Sequence, residues 1–427
     1  MAYYTRYEKL QKYYKNGTAV SPAEYKKGEN LGVAEYSSIE ECEGQPVPGP
    51  EPVNYTCCIT WESSDGNINF TFNYHNVITT EENPWCTKEK ITELHFTKSQ
   101  SKIESLDVTV DETNSITSMY LAFGAMPWLR SVKLNMPKAV SLSDISNMFE
   151  DSTNLTSINF INFDTSNVTS AKYAFNNCAS LTSLDLSNWN TSNLQDADFM
   201  FGDCSSLTSI NLSNWNTSNL KSAWGMFNGC NSLTSIDVSN WDVSNVTTLD
   251  SAFGFCSSLT SINLSNWNTS NLKRTAQTFS SCNSLTSINL SNWDTSNLTS
   301  AWGMFNSCYS ITSINVSNWD VSNVTDLDSA FGSCRSLRTL DLSNWNTSNC
   351  RVFKFIFSGC ENLETLNLKN FDMSKANSYN GMFYNCSSLN HITCKQAFKD
   401  WCITNQDEIV LPTAMREGGT GTWTIVN

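Results

Sequence analysis

The sequence is poor in the residues that usually carry chemistry. It has three histidines, His75, His95 and His391, and none belongs to an H-E-x-x-H motif or a Cys/His cluster. It also lacks a G-x-S-x-G motif, a P-loop and a G-x-G-x-x-G fingerprint. We therefore expect no catalytic residue, no metal and no cofactor, and we predict that the protein is not an enzyme.

Charge and long apolar runs are scarce as well. Only 16% of the residues are charged and the formal net charge is −15, so much of the surface must consist of Ser, Thr and Asn. Such a surface argues against nucleic acid and anionic membranes as partners. The sequence has no stretch of about 18 apolar residues, so we expect no membrane span. Residues 1–9 lack the apolar core of an ordinary secretory signal, so we expect no such signal.

The most prominent feature of the sequence is one motif that repeats every 26 residues. Its clearest copy is L-T-S-L-D-L-S-N-W-N-T-S-N-L, from Leu181 to Leu194. One aromatic position and one cysteine position show that the period does not drift. The aromatic residues are Phe163, Trp189, Trp215, Trp241, Trp267, Trp293, Trp319, Trp345 and Phe371, and the cysteines are Cys178, Cys204, Cys230, Cys256, Cys282, Cys308, Cys334, Cys360 and Cys386. A fixed period of this length is typical of a solenoid.

Each copy contains the pattern of one short strand followed by a turn. Leu184 and Leu186 alternate with Asp185, as in a half-buried strand. The residues that follow are rich in turn formers, and Asn193 is placed to cap a short helical or 3₁₀ turn. One coil cannot bury its own apolar face, whereas stacked coils share a continuous core. We predict an α/β repeat solenoid with one short parallel strand per coil.

The cysteine and tryptophan positions have a structural explanation. Cysteine ligands of zinc must converge from different directions, and one cysteine per coil forms a straight file instead. We interpret these cysteines as small buried residues, and the file from Trp189 to Trp345 as a stacking spine of the core.

The repeat also resembles a known family. The segment from Ala174 to Leu194, A-F-x-x-C-x-S-L-T-S-L-D-L-S-N-W-N-T-S-N-L, is similar to the BspA-like leucine-rich-repeat (LRR) surface proteins in their 26-residue form. The resemblance covers roughly residues 103–393. It implies a right-handed LRR-like solenoid and a role in adhesion or protein interaction, and it identifies no ligand.

The sequence divides into five segments. The first resembles a small N-terminal module of proteins from gut Bacteroidota and their tailed phages, some of them virion proteins. The last contains a predicted helix at 396–402 and predicted strands at 408–412 and 421–426. The predicted segments are an N-terminal module at 1–44, a Pro-rich linker at 45–53, an N-terminal β cap at 54–102, the solenoid at 103–393 and a C-terminal cap at 394–427.

Two rows of residues, each with one member per coil, are candidate binding sites. The strand row contains Asp185, Asp237 and Asp341, with Asn in most other coils. The turn row lies in variable segments and reads Asp198, Trp224, Asp250, Ala276, Trp302, Asp328 and Lys354. The two tryptophans either contact a ligand or pack partly buried against the next coil. The sequence shows no Arg, His or second carboxylate assembled around either row to shift a pKa.

These observations favour a non-enzymatic binding or adhesion protein whose solenoid recognises a host-surface protein or glycan. The N-terminal resemblance favours a phage virion component, such as a fibre or decoration protein, in which residues 1–44 contact other virion subunits. Two alternatives remain open. One is an adhesin on a bacterial cell surface, and the other is a glycan-degrading enzyme, which needs a pair of carboxylates about 5–9.5 Å apart.

Overall fold

The structure, a computed structural model, describes residues 13–15, 18–20, 71–73, 104–109, 116–136 and 142–426. The chain divides into two compact units, residues 1–38 and 39–427. In the first unit, β1 (Tyr13–Lys15) pairs antiparallel with β2 (Thr18–Val20). The predicted linker at 45–53 lies outside the described residues, and so does most of the predicted N-terminal module and β cap.

The second unit is a solenoid of parallel strands. Paired strands between Ser105 and Cys394 are offset by one repeat, so that Ser183 pairs with Ser209 and Ser287 with Ser313. This confirms the predicted solenoid. Its strands are β3 (Thr71–Asn73), β4 (Ser105–Thr109), β5 (Ser131–Asn135), β6 (Ser157–Ile161), β7 (Ser183–Asp185), β8 (Ser209–Asn211), β9 (Ser287–Asn289), β10 (Ser313–Asn315), β11 (Thr339–Asp341), β12 (Thr365–Asn367), β13 (His391–Cys394) and β14 (Thr422–Ile425).

The strand side is less regular than predicted. Residues 235–237 and 261–263 occupy the strand position of their coils, yet neither segment forms a strand. The backbone hydrogen bonds beside them lengthen: Thr208 N lies 2.9 Å from Thr182 O, whereas Thr286 N lies 3.4 Å from Thr260 O. The prediction of a strand in every coil is therefore wrong for these two coils.

A second ladder runs through the variable turns without interruption. Single parallel bridges link every coil to the next at this position, from Ser118–Asp144 to Val352–Ser378. Around each bridge, alternate amides donate to the following coil, as when Phe175 N donates to Met200 O at 2.9 Å. This ladder, rather than the strands, is the continuous backbone connection along the solenoid.

The variable turns contain neither an α-helix nor a 3₁₀-helix, which corrects the prediction that Asn193 caps a short helical or 3₁₀ turn. Each turn contains two residues with positive φ, for example Tyr173 and Asn177, both at 56°. A left-handed residue at these intervals interrupts any helix. The Asn193 side chain instead donates from Nδ2 to the carbonyl of Ser166 in the preceding coil at 2.7 Å. Equivalent bonds recur from Asn219 to Asn349.

The core consists of two stacks of rings. The phenylalanine stack runs from Phe123 to Phe383, with successive ring centroids 5.0–6.1 Å apart. The tryptophan stack runs from Trp215 to Trp345 with nearly parallel rings 6.0–6.4 Å apart. The predicted stacking spine is confirmed from Trp215 to Trp345, whereas Trp189 is buried with its ring tilted against Phe163 at 5.7 Å. The early copies that match the consensus poorly join the phenylalanine stack through Phe123 and Phe149.

The file of cysteines is buried, as predicted, and also forms hydrogen bonds. Each thiol donates to a Phe carbonyl in the preceding coil, as Cys282 Sγ does to Phe253 O at 3.1 Å. Where Ser152 replaces cysteine, its hydroxyl makes the same bond to Phe123 O at 2.8 Å. Burial raises the pKa of Cys256 to about 12, so the thiol stays a neutral donor.

Replacing Cys282 tests whether the position requires a small donor. Serine keeps the bond and is expected to lower the free energy of unfolding by less than about 1.5 kcal/mol. Leucine overpacks the file and is expected to cost about 1–3 kcal/mol. Chemical denaturation of the two variants and of the parent measures the difference. A leucine variant as stable as the serine variant would contradict the tight packing of this file.

The C-terminal segment closes the solenoid differently from the prediction. Helix α1 (Gln396–Thr404) confirms the predicted helix. Strand β14 confirms the predicted strand at 421–426, and it pairs parallel with β13. Residues 408–411 form no strand; instead, Glu408 O accepts from Gly381 N at 2.8 Å and extends the turn ladder. Cys394 and Cys402 are both free thiols.

Candidate binding surface on the turn face

The variable turns form one continuous surface, here called the turn face, which comprises residues 169–173, 195–199, 221–225, 247–251, 273–277, 299–303, 325–329 and 351–355. Its central members are the turn row. Trp224 and Trp302 are the exposed aromatic residues of that row, at 43% and 40%. Each ring is therefore partly packed and partly accessible, and contact of these tryptophans with a ligand stays a prediction.

Trp224 is the end of a short strip of aromatic rings. Its ring meets that of Phe199 edge-on at 5.1 Å, and Phe199 stacks on Tyr173 at 5.3 Å. Tyr173 and Phe199 are half-buried. These two rings were not predicted as part of the site, because each lies one position after the turn row, where the residues of different coils were not compared.

Glycine follows each exposed tryptophan for a steric reason. Gly225 and Gly303 have φ of +60° and +56°, a region that L side chains avoid. A Cβ on Gly225 would also lie 2.6 Å from Cζ of Phe199. Glycine therefore lets the Phe199 ring lie flat over the next coil, beside the indole of Trp224.

The carboxylates of Asp198 and Asp250 point inward, which corrects the expectation that they are accessible. Both residues are buried. Asp198 accepts hydrogen bonds from the Ser222 hydroxyl and, at 3.0 Å, from Trp224 N. Asp250 accepts from Ala276 N at 2.7 Å. Each carboxylate thus accepts a hydrogen bond from a backbone amide of the following coil. For Asp198, that amide belongs to the exposed Trp224.

Asp328 differs from its two counterparts because it is only half-buried. Its Oδ1 accepts from the Ser329 hydroxyl at 2.6 Å. Nearby, burial raises the pKa of Asp196 and of Asp326, whose carboxylates each accept the amide of the residue two positions on. The carboxyl groups on this face are therefore mostly engaged with the protein itself.

Cations and second carboxylates do surround the turn row, contrary to the expectation from sequence. Arg274 Nε lies 2.6 Å from Asp250 Oδ2, and Lys172 Nζ lies 3.5 Å from Asp198 Oδ2. Lys221 and Lys273 are exposed on the same face. The two ion pairs join coils adjacent in the stack, with sequence separations of 26 residues for Lys172–Asp198 and 24 for Arg274–Asp250, so a comparison between neighbouring coils is the signal that reveals them.

The strand row is exposed and locally hydrogen-bonded. Asp185, Asp237 and Asp341 all lie at the surface. The Ser187 amide lowers the pKa of Asp185, and the Ser239 hydroxyl lowers the pKa of Asp237, because both bonds favour the charged carboxylate. The Ser343 amide donates to Asp341 Oδ1 in the same way, at 2.9 Å, so each of the three carboxylates stabilises its own turn.

The described residues also limit the type of site. Within the described part of the chain, no group of three or more His, Cys, Asp or Glu residues is arranged to hold a metal ion. No helix among the described residues is long and apolar enough to cross a membrane.

A family model connects the repeat with known sequences. The model described as "Mycoplasma protein of unknown function, DUF285" matches residues 117–236, 208–314 and 303–409, which together make up more than half of the chain. The chain belongs to the DUF285 family. This match confirms the resemblance to the BspA-like repeat proteins.

Several solved structures are similar to this DUF285 chain. A leucine-rich cell surface protein of Faecalibacterium prausnitzii is 18% identical with a TM-score of 0.46, and the match covers 81% of this chain and 92% of that chain. An LRR protein of Leptospira interrogans is 13% identical with a TM-score of 0.25, covering 67% and 78%. The pneumococcal vaccine antigen PcpA is 13% identical with a TM-score of 0.28, covering 72% and 66%. No curated protein matches the chain.

Proposed function

We propose that this DUF285 chain is a non-enzymatic binding protein whose turn face recognises a protein or glycan on another surface. The observation that carries the proposal is the outward presentation of Trp224 and Trp302. The same row position holds alanine in the coil of Ala276, so the frame does not require an aromatic ring there. Exposed aromatic side chains are typical anchors of binding surfaces.

The arrangement of charge supports binding rather than catalysis. Glycoside hydrolysis needs two carboxyl groups that face a shared cleft. Asp198 and Asp250 instead bind the backbone of the following coil, and Asp185 and Asp237 bind their own turns. Each of these groups has a structural task that leaves it poorly placed to transfer a proton to a ligand.

The location of the protein is a separate part of the proposal. The resemblance of residues 1–44 to modules of phage proteins supports attachment to a virion, where this segment contacts other virion subunits and the solenoid reaches a host surface. The BspA-like resemblance supports the alternative, an adhesin on a bacterial cell. In both locations the solenoid is the recognition element.

Loss of both exposed tryptophans is expected to abolish binding. The full chain and a Trp224→Ala/Trp302→Ala variant are compared for binding to intact gut-bacterial cells and to a glycan array. Saturable binding of the parent, reduced at least about 100-fold in the variant, is expected because aromatic anchors contribute about 2 kcal/mol or more each. A Phe255→Ala/Tyr384→Ala variant is the control, since those exposed rings lie outside the turn row.

Two results would count against the proposal. Absence of saturable binding by the parent chain to any cell or glycan would refute a recognition role for the solenoid. Undiminished binding by the double tryptophan variant would remove the site from the turn face, and the strand row with Asp185, Asp237 and Asp341 would then be substituted next.

A further inference from the structure

The turn face contains two copies of one local arrangement. Residues 222–230 read S-A-W-G-M-F-N-G-C and residues 300–308 read S-A-W-G-M-F-N-S-C, an offset of three repeats. Both tryptophans precede a glycine with positive φ, and their exposures differ by only a few per cent. The backbone is therefore similar at the two indoles, while the neighbouring side chain differs: Phe199 packs against Trp224, and Gln277 holds the matching position in the coil before Trp302.

The coils that follow the two tryptophans are also copies. Residues 249–254 and 327–332 both read L-D-S-A-F-G, so that an aspartate of the turn row comes one coil after each exposed ring. Between Trp224 and Trp302 the buried rings of Phe227, Phe253, Phe279 and Phe305 advance by 5.7, 5.8 and 5.8 Å. The spacing of the two indoles is thus three coil steps.

Between the indoles of Trp224 and Trp302, the turn row does not project from the surface, and the exposed side chains of the turn face are polar. Asp250 and Ala276, the two intervening members of the turn row, are buried. A protein interface of stable type has a contiguous apolar core, whereas two separate aromatic platforms with polar groups between them suit a chain of sugar rings. A linear polymer also repeats by translation, as this surface does, and a globular partner does not.

The exposed charge between the rings is positive although the protein is acidic. Lys273 is exposed, and the Arg274 side chain is 59% exposed while its Nε holds Asp250. Lys221, three residues before Trp224 in the chain, is exposed as well, and its Nζ donates to Gln195 Oε1 at 2.7 Å. Because Asp198 and Asp250 are directed into the protein, this part of the turn face attracts anions against the net charge of −15.

We propose that Trp224 and Trp302 are two equivalent subsites for one linear acidic polysaccharide, which stacks a sugar ring on each indole and places a carboxylate near Lys273. This inference rests on the proposed function and specifies its ligand. Binding at the second subsite is intramolecular once the first is occupied, so an oligosaccharide long enough to span both binds more tightly than a short one.

The test uses the full chain and size ladders of oligosaccharides. Uronate ladders from galacturonan, alginate and hyaluronan are compared with neutral ladders from cellulose, mannan and xylan by titration calorimetry. At least one uronate ladder is expected to show a step of about 100-fold or more in affinity at the length that spans both subsites. Trp224→Ala and Trp302→Ala should each remove that step and leave similar residual affinities.

A charge reversal tests the role of the cation. Lys273→Glu is expected to weaken binding of the long uronate at least about 10-fold, and added salt should weaken binding by the parent. Lys369→Glu, which makes the same change at an exposed lysine outside the turn face, should leave it unchanged.

Several outcomes would overturn the inference while leaving the proposed function intact. They are cell binding that depends on the tryptophans together with no binding of any uronate ladder, equal binding of neutral and uronate ladders, and affinity that does not depend on length. Markedly unequal effects of the two single tryptophan variants would also overturn it. Loss of all cell and glycan binding by the parent would instead remove the proposed function itself.

Discussion

Replacing Phe279 with alanine is expected to lower the free energy of unfolding by about 3–5 kcal/mol. The ring is fully buried and stacks between Phe253 and Phe305, with centroids 5.8 Å away on each side. Its removal leaves a cavity between two coils that the rigid ladders prevent from collapsing. Chemical denaturation followed by circular dichroism measures the change.

The matched control for Phe279 is another phenylalanine of the array. Phe255 is 49% exposed, and its replacement by alanine is expected to change stability by no more than about 0.5 kcal/mol. Similar losses for the two variants would contradict the stacked core as the main source of stability. Limited proteolysis of the Phe279→Ala variant should also cut near the weakened interface, because a solenoid is held together by contacts between neighbours.

Replacing Gly225 with alanine is the second change with a large expected effect. The positive φ of this residue costs an alanine about 1–2 kcal/mol. The added Cβ would also meet the ring of Phe199, which is held between Tyr173 and Trp224, and such overpacking costs about 1–3 kcal/mol more. Thermal and chemical denaturation are expected to show the sum of both penalties.

Two further variants separate these penalties. Gly418 also has a positive φ, of 74°, but has no atom within 4 Å of an added Cβ, so Gly418→Ala should show the backbone cost alone. In the background of Phe199→Ala, Gly225→Ala should lose its steric part. Equal costs for Gly225→Ala and Gly418→Ala in the parent would show that the Phe199 ring moves aside freely.

Much of the solenoid was predictable because its residues recur in register. Burial of Trp189, Cys204 and Phe201 follows from one argument about stacking, applied to every coil. The same argument identified the variable turns as the place where coils differ, and hence Trp224 and Trp302 as candidate contacts. That these residues bind a ligand stays a prediction.

The burial of two aspartates was not predicted from the sequence, because it depends on hydrogen bonds between coils. Asp198 and Asp250 were interpreted as surface groups, since isolated aspartates in polar turns usually are. Their carboxylates instead accept amides at Trp224 and Ala276, which lie one repeat later in the chain. A comparison of each residue with the one a repeat later would have indicated these bonds. The ion pair of Arg274 with Asp250, 24 residues apart, needs a comparison that also includes the positions beside the one-repeat neighbour.

Backbone conformation was the other limit. The pattern around Asn193 suits a helix cap as well as a ladder of side-chain amides, and only the positive φ of residues such as Tyr173 and Phe199 excludes the helix. Bulky residues rarely adopt that conformation, so their sequence gives no warning of it. At the C-terminal end, β14 pairs parallel with β13 because the chain completes one more coil, which a short alternating segment does not reveal.

The continuous turn ladder has a consequence for how the number of repeats in such a protein evolves. Because each coil bonds to the next through the same backbone groups, whole repeats can be gained or lost without disturbing any interface. The distance between two features on the turn face is then fixed by the number of coils between them, in steps of one coil. Gain or loss of repeats by recombination within the gene would therefore change the length of the turn face in steps of one coil, while every coil keeps its packing.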